Sequence, residues 1–441
     1  MTVDSPAPIA ATPTTPTSEL PQSRGSAKAR AAEPLSLFHL LDPDVLADPY
    51  PLYERLRTEA PVLWDPYLHA WVVTRYADVV SVLQHFSADR TPTPQKLAEL
   101  RLEQLGPVAQ VMVRQMLFLD PPQHGRVRSL SAAAFTPRRI ERLRAHIVEI
   151  TDGLLDRVID GPAEGVIDRG ELDVMSELAN PLPAIVTAEM LGVPTSDHVK
   201  LKEWSQDFAE MLGNFQHNPG HAARMLASLE EMTDYFRDTV RQQAGGVESG
   251  LIGALTSAEV DGDRLTEDEV IANVIVTMVG GQETTTNLIG NGLLTLLRNP
   301  GALEQLRDDA SLMPSAVEEL LRFESPSQHT ARIAPRDIVL GGQQIAAGQA
   351  VIAVMGAGNR DPNRFPEPNS LDLGRGDNRH LAFGWSSHFC FGAPLARMEA
   401  HIAFTQLLYR LPDLRLATES LQWRANLGLR GLTALPVTFS R

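Results

Sequence analysis

The chain holds a single thiol, Cys390, in a loop reading Phe383-Gly384-Trp385-Ser386-Ser387-His388-Phe389-Cys390-Phe391-Gly392. A lone cysteine forms no internal disulfide and completes no zinc site of several cysteines. As a thiolate it can still be the one axial ligand of a haem iron, an arrangement that favours O–O cleavage. Gly384, Gly392 and the aromatic Phe383 suit a tight loop lying against a flat macrocycle. The competing reading is a small buried hydrophobe, the usual fate of a free cysteine.

A second group lies in Val276-Thr277-Met278-Val279-Gly280-Gly281-Gln282-Glu283-Thr284. Two adjacent glycines inside a helical pattern cost about 1 kcal/mol each relative to alanine. They admit either a neighbouring helix or a flat ligand and a small molecule. The Thr284 hydroxyl can hold dioxygen or water while Glu283 resupplies a proton; equally, a helical threonine often bonds back to the carbonyl one turn earlier. A third group, Glu319 and Arg322, shares one helix face at i, i+3, and such a pair, if exposed, is worth at most ~1 kcal/mol.

These groups need elements to hold them. Thr266-Glu267-Asp268-Glu269 has the form of a capping box, and the helix it opens runs to about Leu297, roughly 50 Å at 1.5 Å per residue. A proline-led helix is expected from Asp48, and short strands at Val62–Trp64 and Ala70–Thr74. From Pro121 to about Pro300 the pattern is mainly helical, with breaks at Gly161-Pro162, Gly192-Val193-Pro194, Asn218-Pro219-Gly220 and Gly245-Gly246. Helices are expected again over 301–324 and 393–411, with strands near 337–340, 350–354 and 435–439. No Gly-rich phosphate loop follows a strand, which argues against a dinucleotide-binding sheet. The fold expected is mainly α with small β-sheets.

The 441 residues carry 39 Lys+Arg against 55 Asp+Glu, a net charge of −16. That balance opposes nucleic-acid binding and anionic membranes. One cysteine and no apolar run of ~20 residues point to a cytoplasmic protein without a membrane span. Residues 1–34, rich in Pro, Thr and Ala, are expected as a disordered tail ahead of one domain over 35–441.

Taken together, residues 35–441 resemble a bacterial-type, soluble class I cytochrome P450. The loop around Cys390 is similar to that family's haem signature, Gly280-Gly281-Gln282-Glu283-Thr284 to its oxygen-activation motif, and Glu319-Leu320-Leu321-Arg322 to its Glu-x-x-Arg pair. The resemblance implies haem b between a long distal helix and the helix after the cysteine loop, with Cys390 as proximal thiolate and Phe383 and Gly392 against the haem. It makes Glu283 and Thr284 the proton-handling pair beside Gly280 and Gly281, and Arg375 the third member of a buried brace with Glu319 and Arg322. His124, Arg128, Arg332 and His388 match positions that meet the haem propionates. One departure is Ser386, where a glycine is usual; a positive φ there would disfavour a side chain.

The implied activity is a monooxygenase that uses O2 and hydroxylates or epoxidises a mostly apolar small molecule, in polyketide or peptide metabolism. Its electrons would come from NAD(P)H through ferredoxin and ferredoxin reductase, and the enzyme would act as a monomer. Arg126, Arg128, Arg138, Arg139 and Arg397 offer a basic patch for an acidic ferredoxin. The alternatives are oxidation without net oxygen insertion (coupling or cyclisation), a peroxide-driven enzyme, and a non-catalytic haem protein. Pocket walls are expected from residues 90–119, 205–222, Asn273–Gly281, 326–330 (Gln328 and His329 among them) and Arg430–Thr433.

Overall fold

The computed structural model describes residues 34–99, 101–159, 169–213, 219–243, 250–260 and 262–440. The expected tail lies, but for Pro34, outside the described residues, as do the breaks at Gly161-Pro162 and Gly245-Gly246. What is described is mainly helical with small sheets.

The long helix spans Glu267–Leu297. Its start is set locally: the Thr266 hydroxyl accepts the Glu269 N–H at 3.3 Å, and the Glu269 carboxylate accepts the Thr266 N–H at 2.9 Å. Glu267, Asp268 and Glu269 in the first turn also favour the positive end of the helix dipole. Most residues from Val270 to Leu296 are buried, so this is a core helix rather than an amphipathic one. Helices Pro181–Leu191, His198–Gly213, Met313–Phe323 and Ala393–Arg410 all pack on it.

The helix expected over 301–324 is two helices, Pro300–Asp308 and Met313–Phe323. The Asp309 carboxylate accepts the Ser311 N–H at 2.9 Å in the intervening turn, and Pro314 sits in the first turn of the second helix. A proline there loses no helical hydrogen bond, so the break is inexpensive.

Four strands form the larger sheet in the order Val62–Asp65, Ala70–Val73, Ala350–Ala353, Thr330–Ile333. The outer pairs are antiparallel and the central pair parallel. Beyond the last strand, an isolated bridge joins Ser87 to Ile333. The helical reading of 121–300 misses one strand, Arg169–Asp173, which pairs with Pro436–Ser440 near the end of the chain. Among the described residues, no helix is long and apolar enough to cross a membrane.

Helix Ala393–Arg410 carries an unusual core residue. Glu399 is 2% exposed, its Oε2 has no hydrogen-bond partner, and burial raises its pKa well above the carboxylate range. The native state therefore keeps a proton that the unfolded chain releases near pH ~4.3. Between those two pKa values the native state binds more protons, so stability falls as pH rises. Urea unfolding should show less stability at pH 8 than at pH 5.5, and Glu399→Gln should flatten that slope. An unchanged slope in the variant would assign the pH dependence to other groups.

Candidate functional site

The cysteine loop is a set of nested turns. The Cys390 N–H donates to the Phe383 carbonyl at 2.8 Å, Gly384 N–H to Leu381 at 2.8 Å, and Phe389 N–H to Ser386 at 3.0 Å. Two residues pay for this with left-handed backbone: Gly384 at φ +73° and Ser386 at φ +59°. At 384 glycine is suited to that conformation; at 386 the serine carries the strain its sequence context raised. Its hydroxyl has no protein partner among the described residues. Relief of about 1–2 kcal/mol of left-handed strain, less the extra unfolded-state entropy of glycine, predicts a small net gain. Ser386→Gly should stabilise the protein by roughly 0.5–1 kcal/mol in urea unfolding with an unaltered absorption spectrum.

The surface of Cys390 is accessible, yet protein surrounds it deeply enough that burial pushes the thiol pKa up. Both hold when a residue lines a recess inside the molecule, and we read the site that way. Acting against burial are backbone N–H groups of Gly392 and Ala393, then the Arg128 and Arg397 guanidiniums. The two N–H groups belong to the start of helix Ala393–Arg410, where a thiolate is favoured. A Cβ on Gly392 would lie 3.7 Å from the sulfur, so the glycine leaves one side of it open.

On the long helix the two glycines do different things. A Cβ on Gly281 would come within 3.2 Å of Thr187 Oγ1 on helix Pro181–Leu191, so this one admits a neighbour. Gly280 is exposed in mid-helix with nothing within 4 Å of its missing Cβ, so that one borders open space. Beside it, Thr284 Oγ1 donates back to the Gly280 carbonyl at 2.8 Å, leaving the hydroxyl's lone pairs available. Glu283 is fully buried. Its Oε1 accepts from Lys202 Nζ at 2.6 Å and its Oε2 from Arg424 Nη1. Burial pulls its pKa upward, but the two cations outweigh that and hold it below the usual range, as an anion. Neither cation was found from sequence; each comes from a distant segment with no local signal.

A third cluster gathers two histidines and an arginine. The His124 and His388 rings lie against each other, centroids 4.1 Å apart and planes tilted by 36°. Burial first, then repulsion from His124 and Arg332, pushes the His388 pKa down to about 3, and burial also lowers that of His124. Burial takes Arg332 down to about 10. His124 Nε2 and Arg332 Nε are buried without partners. Arg332 Nη1 meets only Thr330 Oγ1 (3.2 Å) and the Ala331 carbonyl (2.9 Å). Buried donors lacking acceptors are costly, and a ligand bearing carboxylates would satisfy them. Together with the accessible sulfur and the opening at Gly280, this donor set fits haem with its two propionates. One donor of Arg128, Nη2, goes to the Phe389 carbonyl at 2.6 Å and ties this side chain to the cysteine loop.

The family model for cytochrome P450 matches residues 68–412. The chain belongs to the cytochrome P450 family. It is 39% identical over 422 residues to the cytochrome P450 monooxygenase PikC of Streptomyces venezuelae, covering 93% of this chain and 96% of PikC. It is 34% identical over 415 residues to the polyketide biosynthesis cytochrome P450 PksS of Bacillus subtilis (strain 168), covering 92% and 99%. The crystal structure of P450BioI in complex with an acyl carrier protein ligated to hexadec-9Z-enoic acid superposes with a TM-score of 0.82 at 35% identity, over 90% of this chain and 99% of that one. The chain is thus a haem-dependent, oxygenating oxidoreductase with the P450 fold.

Within this P450 the Glu-x-x-Arg pair is a buried brace. Glu319 and Arg322 are both fully buried and joined by bonds of 2.7 and 2.8 Å. Arg375 Nε reaches Glu319 at 3.1 Å, and Asn378 Nδ2 and the Asp372 N–H complete its acceptors. Arg322 also donates to the carbonyls of Asn359, Pro368 and Ser370. This anchors the segment leading into the cysteine loop.

The basic patch needs correction. Arg126 is paired with Asp263 and Glu269, and Arg397 with Glu318, which also meets His380. The cations so close to Glu318, opposing its burial, bring its pKa down to about 2. With Arg128 on the Phe389 carbonyl, three of the five arginines are internally engaged. Two pocket expectations also change. Gln328 is 1% exposed, donating to the Ser325 carbonyl at 2.7 Å over Gly356, and so lies behind the wall. Asn273 is fully buried and clasps residues 114–116, accepting from the Met116 N–H and donating to the Arg114 carbonyl, both at 2.9 Å.

Proposed function

We propose that this P450 is a monooxygenase that inserts oxygen into a mostly apolar small molecule, by hydroxylation or epoxidation, in polyketide or peptide natural-product biosynthesis. The observation that carries this reading is the opening at Gly280 with Thr284 beside it, on a helix otherwise packed into the core. Haem, when bound, supplies O2 binding and oxidation; the protein supplies placement and protons. Cys390 would hold the haem iron as a thiolate, favoured in that form by the Gly392 and Ala393 N–H groups. His124, Arg128, Arg332 and His388 would hold the propionates, with Arg128 also tied to the cysteine loop through the Phe389 carbonyl. With its own proton on the Gly280 carbonyl, Thr284 would accept a hydrogen bond from water in the opening. Once water replaces one of its two cations, Glu283 would take up a proton from that water and pass it on toward Thr284.

The natural-product assignment draws on similarity to a polyketide biosynthesis P450. Electrons come from NAD(P)H by way of a reductase and an acidic ferredoxin, and the enzyme works as a cytoplasmic monomer. The test is turnover of a macrolide and cyclic-peptide panel with a ferredoxin system under labelled O2. One labelled oxygen in the product is the expected result. A coupled or cyclised product without label would replace this reading. Thr284→Ala should lower product formed per O2 consumed by about tenfold or more, read as peroxide released.

A further inference from the structure

Arg90 was not among the residues that the motifs single out, yet its surroundings call for an anion. The backbone bridge between Ser87 and Ile333 has N–H···O bonds of 2.9 Å in both directions. It lays the segment carrying Arg90 alongside the strand carrying Arg332. Asp120 fixes that segment further, accepting the Ala88 N–H at 2.8 Å and the Ser87 hydroxyl. The Arg90 guanidinium then lies over the Phe118 ring, 4.4 Å from its centroid, with one hydrogen bond, to the Ala88 carbonyl at 3.1 Å.

Burial, followed by repulsion from Arg332, brings the Arg90 pKa down to about 9. No carboxylate pairs with either guanidinium among the described ion pairs. Asp120 spends both oxygens on Ser87 and Ala88 and acts on Arg332 only at range, as Asp89 does on Arg90. Two enclosed cations that repel each other, with Arg332 Nε unpartnered, are unfavourable unless an anion lies between them. The surface around them gives that anion a source: His124 and His388, already placed as propionate partners, act on the same Arg332.

We propose that Arg90 is a further haem-binding residue, sharing one propionate with Arg332. It rests on the haem reading above, and the wild-type holoprotein tests that first: without bound haem the reading itself fails, whatever Arg90 does. Given holoprotein, Arg90→Gln should transfer haem to apomyoglobin roughly tenfold faster or more, the loss of one charge-assisted hydrogen bond. Its midpoint potential should also fall, because a positive charge near the haem has gone. Arg90→Lys keeps the charge without the fork and should recover the potential more fully than the transfer rate. Wild-type transfer rate and potential in Arg90→Gln would overturn the proposal. So would unchanged haem retention with weakened binding of acidic substrates alone, which would assign Arg90 to the substrate. A general folding defect would slow or speed haem loss in both variants without this split of potential from rate, and would equally overturn it.

Discussion

Cys390→Ala, reduced under carbon monoxide, is expected to lack the red-shifted thiolate-type Soret band of the wild type, and its O2-dependent turnover should fall to background. Alanine offers no axial donor, and no other cysteine can substitute. The fall should exceed the roughly 100-fold loss typical when only an outer partner of a metal site is removed. The hydrogen-bond donors around Arg332 and His124 are untouched by the change, so the variant should still take up haem. That separates loss of ligation from loss of the cofactor. Retained oxygenase activity in the variant would sink the assignment of Cys390.

Arg322→Ala is expected to be the most destabilising single change in the protein. It removes a fully buried guanidinium that grips both oxygens of Glu319 and three backbone carbonyls. Breaking a buried ion pair from one side costs about 3–5 kcal/mol, a large part of a total stability of about 5–15 kcal/mol. The variant should unfold at markedly lower urea concentration and be recovered with less haem per chain. Arg322→Lys should rescue little, because one ammonium cannot reproduce a planar fork. A loss below about 1 kcal/mol would mean that the brace contributes no more than a surface pair.

What could be read from the sequence divides along the distance over which the signal acts. The long helix begins at its Thr266 cap and ends near Leu297 because both limits are written in neighbouring residues. The Glu319–Arg322 geometry follows from helical spacing alone, and the Cys390 turns from a compact run with glycine at 384. Strand Arg169–Asp173 escaped notice because its partner, Pro436–Ser440, lies at the far end of the chain. Lys202 and Arg424 were invisible for the same reason, and so was the place of Arg90. The basic patch was misread in a complementary way: the charges of Arg126 and Arg397 are plain in the sequence, whereas their counter-ions, Asp263, Glu269 and Glu318, are brought to them only by folding. The glycine pair was ambiguous because its two members differ: Gly281 admits a neighbouring helix, whereas Gly280 borders open space.

Glu283, met by Lys202 from one side and Arg424 from the other, has a consequence for biosynthesis. While the chain is being made, the carboxylate leaves the ribosome long before Arg424 does. Until the last segment docks, the half-built core can offer this group Lys202 alone, and its second oxygen must stay wet. The centre of the longest helix therefore closes late, on the arrival of the chain's final residues. A nascent protein stopped short of Arg424 should remain open at its middle, binding dyes that report exposed apolar surface and yielding early to proteases.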